Sequence, residues 1–309
     1  MTDEPSPDPV TEETPHGQEF QPPAPDPAGG IPAAVNADDD PPPPVNPVES
    51  AAVPYRPVYC RVFNALLGGD DTFAEDRALA ARLARITPTV PGTAHAVQHF
   101  LRRAVQQLVA EGTRSFLVLG SGSPTPGPVH EIAQDDNPSA RIVYIDADPF
   151  AAAMYTEALR GNLNTSAIHA DLRDIDGLLN HPEVHRQLDF TDPITVLFPD
   201  SLPFLTDHDH PADLTTHLAR MLPTGSHLLL SHATADTDPR MHTAAQAITT
   251  ATGVPYHCRS HAQITALLDG FTVLPPGIVH PDDWRPDDPR GPDSIRHDGG
   301  AWAALARRR

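Results

Sequence analysis

The stretch SFLVLGSGSPT, at residues 115–125, decides which fold this chain is expected to adopt. Its first six residues, 115–120, have the length and the largely apolar character of one buried strand, which ends in a Gly-x-Gly turn at Gly120 and Gly122. Because glycine has no Cβ, the backbone of such a turn passes close to a ligand, and the helix expected next directs free N–H groups toward it. The stretch therefore predicts a strand, a ligand-binding turn and a helix, although a Gly-x-Gly turn is also found as a simple tight connection.

Short apolar runs recur on the C-terminal side of this stretch. They predict further strands at residues 141–146, 166–171, 194–198, 227–231, 271–274 and 301–305. Helical periodicity between the earlier strands predicts helices over residues 149–159, 212–221 and 239–251. Strands that alternate with helices are typical of a parallel sheet covered on both faces. No clear helix separates the last two runs, which favours an antiparallel pair there.

Helices are also predicted on the N-terminal side. One ends at Gly68 and Gly69, a second covers residues 73–86, and a third runs from about Thr93 to Gly112. Pro88 and Pro91 are expected to break the chain between the second and third helices. We therefore expect a helical cap over residues 55–112 and a sheet-forming core over residues 113–309.

Charge and proline are unevenly distributed along the 309 residues. The chain has 41 acidic and 21 basic residues, all of the latter arginine, so mechanisms that need a lysine, such as a Schiff base, are excluded. Residues 1–50 hold 11 of the acids and 14 of the 37 prolines but no basic residue. Such a segment buries too little apolar surface to offset the entropy of ordering. We expect residues 1–54 to form a disordered, acidic, proline-rich tail.

Composition also limits the partners and the compartment. A net charge of −20 argues against a nucleic-acid surface, and no run of about 18 apolar residues is present to span a membrane. The first residues carry neither the basic nor the apolar region of a signal peptide. Two cysteines, Cys60 and Cys258, are too few for a disulfide framework. We expect a cytoplasmic protein that binds neither nucleic acid nor a membrane.

Acidic side chains close the next two predicted strands. Asp146 follows Gly120 by 26 residues, where a carboxylate accepts both hydrogen bonds of a ribose diol. Asp148 could share that role, but an acid directly before Pro149 also fits a helix N-cap, so we favour Asp146. Asp171 ends the third strand, where a carboxylate can accept from an exocyclic amine such as that of adenine. These positions meet at the edge where open α/β sheets bind ligands.

Five motifs resemble the actinobacterial S-adenosylmethionine-dependent methyltransferases of the DUF574 type. They lie at residues 61–77 (RVFNALLGGDDTFAEDR), 120–131 (GSGSPTPGPVHE), 143–149 (VYIDADP), 170–174 (ADLRD) and 230–236 (LSHATAD). The resemblance covers about residues 56–309. It implies an α/β, class I methyltransferase Rossmann-like fold, with a seven-stranded, mostly parallel sheet, a terminal antiparallel hairpin and helices on both faces. It implies S-adenosylmethionine as the cofactor, and it leaves the acceptor undefined.

The predicted cofactor site combines the strand ends with the family motifs. It comprises Asn64, Gly68, Gly69, Gly120, Ser121, Gly122, Asp146, Ala147, Asp171, Leu172 and Phe198. Methyl transfer from a sulfonium needs mainly positioning, and a general base is required only for a weak nucleophile. Asp71 and Asp200 are the candidates for that base. The chain departs from the family pattern at Asp70, Thr72, residues 63–65 and Pro203, which indicates a diverged acceptor or activity.

A small-molecule methyltransferase is the leading interpretation, and two alternatives remain. A nicotinamide-dependent oxidoreductase would share the turn, but Thr125 replaces the third glycine of its fingerprint and the position of Asp171 counts against it. A non-catalytic cofactor-binding or regulatory protein is the second alternative, and the altered motifs and the long tail keep it open. The histidine-rich segment 207–211 is interpreted as a polar loop rather than a metal site.

Overall fold

The central element of the fold is a seven-stranded sheet, seen in a computed structural model that describes residues 56–125, 127–286 and 299–309. Its strands are β1 (Ser115–Leu119), β2 (Arg141–Asp146), β3 (Thr165–His169), β4 (Thr195–Pro199), β5 (His227–Ala233), β6 (Phe271–Val273) and β7 (Ala301–Arg308). Their order across the sheet is β3-β2-β1-β4-β5-β7-β6. The tail expected over residues 1–54 lies outside the described residues.

Strand direction agrees with the prediction. The first five strands pair in parallel, whereas β7 runs antiparallel to both β5 and β6. The mostly parallel sheet with an antiparallel end hairpin, implied by the family resemblance, is therefore confirmed. Parallel pairing needs crossover connections, which helices supply.

Helices cover both faces of this sheet. They are α1 (Tyr59–Leu66), α2 (Ala74–Ile86), α3 (Val90–Ala110), α4 (Val129–Asp136), α5 (Pro149–Ala158), α6 (Ile175–Leu179), α7 (Pro182–Gln187), α8 (Pro211–Met221), α9 (Met241–Thr252) and α10 (His261–Ala266). Short 3₁₀ turns lie at Leu202–Phe204, Asp207–Asp209 and Pro281–Asp283. The expected break at Pro91 is wrong, because this proline lies in the first turn of α3, where its missing N–H breaks no helical hydrogen bond.

Strand β1 shows why the sheet is buried on both sides. Leu117 and Leu119 pack into an apolar cluster with α6, α7, α8 and α10, while Phe116 and Val118 pack with α3, α4 and α5. Alternate side chains of a strand point to opposite faces, so a strand covered on both faces is apolar at nearly every position. Helix α3, which the sequence groups with the cap, therefore also belongs to the layer that covers the sheet.

The N-terminal helices α1 and α2 pack against α9 in a third apolar cluster. A buried ion pair between Arg61 and Asp76 also joins α1 to α2. Asp76 is fully buried and accepts hydrogen bonds from Arg61 Nε at 2.8 Å, from the Val58 N–H at 3.0 Å and from the Phe73 N–H at 2.9 Å. The conspicuous Arg61 of the opening motif thus fastens α1 to the start of α2. This contact holds the first turn of α1 over the carboxyl edge of the sheet.

Candidate active site

A cavity of about 420 Å³ opens at the carboxyl edge of the parallel strands, beneath α1. Its wall comes from the turn after β1, from the segments that follow β2, β3 and β4, and from α1 and α3. Of the predicted cofactor-site residues, the wall contains Gly120, Ser121, Gly122, Asp146, Ala147, Asp171 and Leu172. The structure therefore brings together the strand-end residues that the sequence grouped.

The turn after β1 is shaped by two glycines with positive φ. Gly120 has φ +77° and Gly122 has φ +68°, a region that side chains other than glycine rarely adopt. The N–H of Gly120 donates to the Ile145 carbonyl at 2.8 Å, which ties the turn to the end of β2. A Cβ added at Gly120 would lie 2.2 Å from the Cβ of Ser201, so the residue after β4 can approach only because glycine is present.

Asp146 forms a rigid carboxylate at the end of β2. One oxygen accepts from the Gly122 N–H and the other from the Asp148 N–H, each at 2.8 Å. Burial nevertheless raises the pKa of Asp146 above its usual value, because desolvation outweighs these hydrogen bonds. The Ser121 hydroxyl also donates to Oδ2 at 3.4 Å, so two donors already contact that oxygen. A carboxylate has about four lone-pair sites, so this group keeps acceptor capacity for a ligand hydroxyl, chiefly on Oδ1.

The neighbouring acids have different surroundings. The carboxylate of Asp148 accepts from the Phe150 N–H at 2.9 Å, so its predicted role as the N-cap of α5 is confirmed. Asp171 is about half exposed and forms an ion pair with Arg173 at 3.0 Å, and Arg173 also reaches Asp209 at 2.8 Å. Arg173, which also lines the cavity, was not predicted from the sequence.

Five predicted site residues do not line the cavity. Gly68 and Gly69 terminate α1, and the side chain of Asn64 packs so closely on Gly69 that an added Cβ would lie 2.1 Å from its oxygen. Phe198 is fully buried in the apolar core below the sheet edge, and Asp71 is exposed. The geometry assigns the first three a helix-ending role, and none of the five enters the site proposed below.

Asp200, the other candidate base, lies in the cavity wall directly after β4. It adopts φ +58°, a strained conformation that aspartate tolerates better than most residues. Its Oδ2 atom accepts hydrogen bonds from the hydroxyls of Tyr59 and Tyr256, both at 2.8 Å. Burial raises the pKa of Asp200 to about 6, although the two tyrosine hydroxyls act in the opposite direction.

Three aromatic rings surround this carboxylate. The rings of Tyr59, Phe204 and Tyr256 contact one another, with centroid separations of 5.0 to 5.1 Å. Tyr59 and Phe204 line the cavity, whereas Tyr256 is buried behind them. Tyr59 lies four residues before Phe63, so the two side chains share one face of a helix. This spacing could have predicted from the sequence that Tyr59 contributes to the site. No local pattern marks Tyr256.

Arg259 packs against the segment that carries Phe204 and hydrogen-bonds to its backbone. This buried guanidinium donates to the Leu202 and Leu205 carbonyls at 3.0 and 2.7 Å and approaches Nε2 of His232 at 2.9 Å. Burial lowers the pKa of His232 to about 3, so the imidazole is neutral and accepts the arginine N–H. His232 is therefore a satisfied buried group that supports the cavity wall.

A comparison with protein families covers most of the chain. Residues 50–309 match the model of the family described as S-adenosyl methyltransferase. The chain belongs to this family. The methyltransferase therefore has S-adenosylmethionine as its cofactor, and the resemblance recognised in the five motifs is confirmed.

Two solved structures resemble the methyltransferase along most of its length. One is a "putative methyltransferase" from Thermobifida fusca YX, 32% identical, covering 82% of this chain and 96% of that chain with a TM-score of 0.77. The other is a DUF574 family protein from Streptomyces avermitilis, 31% identical, covering 82% and 98% with a TM-score of 0.76. No curated protein is significantly similar in sequence. The class I methyltransferase fold is thus established.

The residues present fit the methyl donor. The cavity volume falls within the range of roughly 300–1,000 Å³ found for small-molecule sites. A turn with glycine at positions 120 and 122 and a fixed carboxylate with free acceptor capacity stand side by side at the sheet edge, as a ribose-containing ligand requires. Within the described ranges, no helix of the methyltransferase is long and apolar enough to cross a membrane.

Proposed function

We propose that this protein transfers a methyl group from S-adenosylmethionine to a small-molecule acceptor in the cavity at the sheet edge. One observation carries the proposal: a single cavity is lined both by the Asp146 carboxylate and by Asp200 with the neighbouring rings of Tyr59 and Phe204. The Asp146 side of the site suits a ribose, and the Asp200 side suits an acceptor that approaches along the wall formed by Tyr59 and Phe204. The bound donor supplies an activated methyl group, so the protein contributes mainly position and exclusion of water.

Within this proposal, each side of the site has assigned residues. Asp146 accepts the ribose hydroxyls, and the backbone from Gly120 to Gly122, with the side chain of Ser121, borders the donor. Ala147, Asp171 and Leu172 border the base, and the Asp171 carboxylate accepts from its amine once it is released from Arg173. Surface ion pairs contribute only about 0–1 kcal/mol, so that release costs little. Asp200, rather than the exposed Asp71, is the carboxylate on the acceptor side.

Calorimetric titration with S-adenosylmethionine, S-adenosylhomocysteine and NAD tests this assignment. We expect the first two to bind in the micromolar range and NAD not to bind. Binding of NAD alone would favour an oxidoreductase, and absence of binding by all three would contradict a functional donor site.

Replacing Asp146 with alanine is expected to raise the Kd of S-adenosylhomocysteine by roughly 10- to 100-fold. The ribose would lose hydrogen bonds to a charged acceptor, which are worth about 1.5–3 kcal/mol in total. Calorimetry measures the change, and Asp135→Ala on the exposed face of α4 is the matched control. An unchanged Kd in Asp146→Ala would exclude this carboxylate from the ribose site.

Removal of residues 1–50 is expected to leave the Tm within about 2 °C of that of the full chain. We propose that this segment is a disordered tail, since its acidic, proline-rich composition cannot form a core. Differential scanning calorimetry of both chains tests the prediction. A drop of many degrees would mean that the tail packs on the methyltransferase domain.

We also propose that the protein works in the cytoplasm. Cys60 and Cys258 are both free thiols, and burial raises the pKa of each to about 12, so neither is poised for disulfide exchange. Localisation of a fluorescent fusion in the native host would test this proposal.

A further inference from the structure

Charge is unevenly placed along the cavity wall. Four carboxylates line it, those of Asp146, Asp148, Asp171 and Asp200, while Arg173 is the single cationic side chain among the described lining residues. Arg173 is already engaged by Asp171 at 3.0 Å and by Asp209 at 2.8 Å. The Asp200 carboxylate is instead contacted by neutral groups, the hydroxyls of Tyr59 and Tyr256 and the backbone of Ala233.

Asp200 retains capacity to bind a further donor. The tyrosine hydroxyls occupy two lone-pair sites on Oδ2, and the backbone of Ala233 also hydrogen-bonds to the carboxylate. Since an ionised carboxylate offers about four such sites, at least one remains for a ligand. An N–H group of a cation that entered the cavity would complete the set.

The position of this carboxylate is fixed before any acceptor arrives. Its positive φ, its two tyrosine partners and the Arg259 contacts to the Leu202 and Leu205 carbonyls hold the segment in one arrangement. A fixed charge of this kind acts most strongly on charge that develops during a reaction, because no reorganisation is needed. Strain kept at one residue beside a cavity is typical of functional sites.

We infer that the acceptor atom is the basic nitrogen of an amine, and that Asp200 is its charge partner. This inference rests on the function proposed above. The ammonium form releases a proton to solvent, and the nitrogen lone pair then forms the new N–C bond. The electron pair of the broken C–S bond stays on sulfur as a neutral thioether. Positive charge thus moves from sulfur to the nitrogen beside Asp200, which stays ionised throughout.

Anionic acceptors fit the same wall poorly. A carboxylate, a phosphate or a phenolate would face Asp200 at close range, where like charges in a water-poor cavity repel each other. The adjoining rings of Tyr59 and Phe204 line the same wall, and the π-face of an aromatic ring attracts an organic cation. Both features select for a nitrogen that is protonated in solution.

Binding of three ligands, the methyl donor and two of its analogues, distinguishes a role of Asp200 in holding the acceptor from a role in holding the donor. S-adenosylhomocysteine is neutral at sulfur, S-adenosylmethionine is cationic at sulfur, and sinefungin carries an ammonium where the transferable methyl stands, one bond closer to the acceptor. At pH 7.5 we expect sinefungin to bind the full chain roughly 10- to 100-fold more tightly than S-adenosylhomocysteine. In Asp200→Asn this preference is expected to fall to about 3-fold or less, while the Kd of S-adenosylmethionine changes little.

The matched control is Asp171→Asn, another carboxylate of the cavity wall. It is expected to weaken all three ligands by the same factor, because it faces the base that they share. Equal losses of S-adenosylmethionine and sinefungin in Asp200→Asn would assign Asp200 to the sulfonium and overturn the inference. An unchanged sinefungin preference would overturn it too. If none of the three ligands binds the unaltered chain, the proposed function itself fails.

A pH series gives an independent readout that does not depend on the Asp200→Asn variant folding. Burial holds the pKa of Tyr59, Tyr256 and Cys258, the groups beside Asp200, well above neutral, so they keep their protons from about pH 5 to pH 8. The preference for sinefungin should therefore rise as the pH passes about 6, where Asp200 ionises. In Tyr256→Phe the midpoint should move to higher pH, because one donor to the carboxylate is lost. A pH-independent preference would contradict the inference.

Discussion

Replacing Gly120 with alanine is expected to lower the free energy of unfolding by about 2–5 kcal/mol and to abolish binding of S-adenosylhomocysteine. The left-handed conformation at φ +77° costs a side chain roughly 1–2 kcal/mol. The new Cβ would also lie 2.2 Å from the Cβ of Ser201, and forcing atoms into a packed site costs about 1–3 kcal/mol more. Ser201 cannot easily move away, since its hydroxyl donates to the Leu119 carbonyl at 2.6 Å.

Urea unfolding and calorimetric titration measure the two effects of Gly120→Ala. The control is Gly161→Ala, because Gly161 has a similar φ of +85° but no atom within 4 Å of an added Cβ. It should lose only the conformational contribution of about 1–2 kcal/mol and retain ligand binding. Equal destabilisation of the two variants would mean that the contact with Ser201 does not constrain the turn.

Replacing Asp76 with alanine is expected to lower the free energy of unfolding by about 3–5 kcal/mol, the cost of leaving a buried charge without its partner. The side chain of Arg61 is only 3% exposed, and the N–H groups of Val58 and Phe73 would lose their acceptor as well. Helix α1 would then lose its attachment to α2. Because Tyr59 lies in the first turn of α1, we also expect weaker binding of sinefungin.

Urea unfolding of Asp76→Ala is best compared with that of Glu157→Ala. Glu157 pairs with Arg160 at 2.8 Å, but the two side chains are 67% and 77% exposed. An exposed pair contributes about 0–1 kcal/mol, so this variant should unfold almost as the unaltered chain does. A loss below about 1 kcal/mol in Asp76→Ala would show that α1 is held by apolar packing alone.

The sheet was predictable because its strands are buried on both faces. Such strands are short, nearly continuous apolar runs, and the predicted bounds of β1 and β2 agree with the structure within one residue. The short helices α6, α7 and α10 were not predicted, since five or six residues hold too little of a helical period to give a pattern. Residues 287–298, which separate β6 from β7 in sequence, lie outside the described part of the chain.

The two sides of the site differ in how far sequence reasoning reaches. Gly120, Asp146 and Asp171 end consecutive parallel strands, so topology alone brings them to one edge. The hydroxyl oxygens of Tyr59 and Tyr256 lie 3.1 Å apart although the two residues are 197 positions apart in sequence. No local sequence pattern predicts such a contact. Asn64, Gly68 and Gly69 were assigned to the cofactor through the family motif at residues 61–77, and in the structure they do not line the cavity.

The contact between Tyr59 and Tyr256 also bears on how the family diversifies. The donor side is built from turns that the sheet itself needs, so selection for folding and for cofactor binding act there on the same residues. Around Asp200, which follows β4, the site also draws on one turn of α1 and on a short segment after α9, neither of which is a strand of the sheet. Under the proposed function, substitutions in these two segments change acceptor preference while S-adenosylmethionine is kept as the methyl donor. Divergence among relatives is therefore expected to accumulate around Tyr59 and Tyr256 before it reaches the glycine turn.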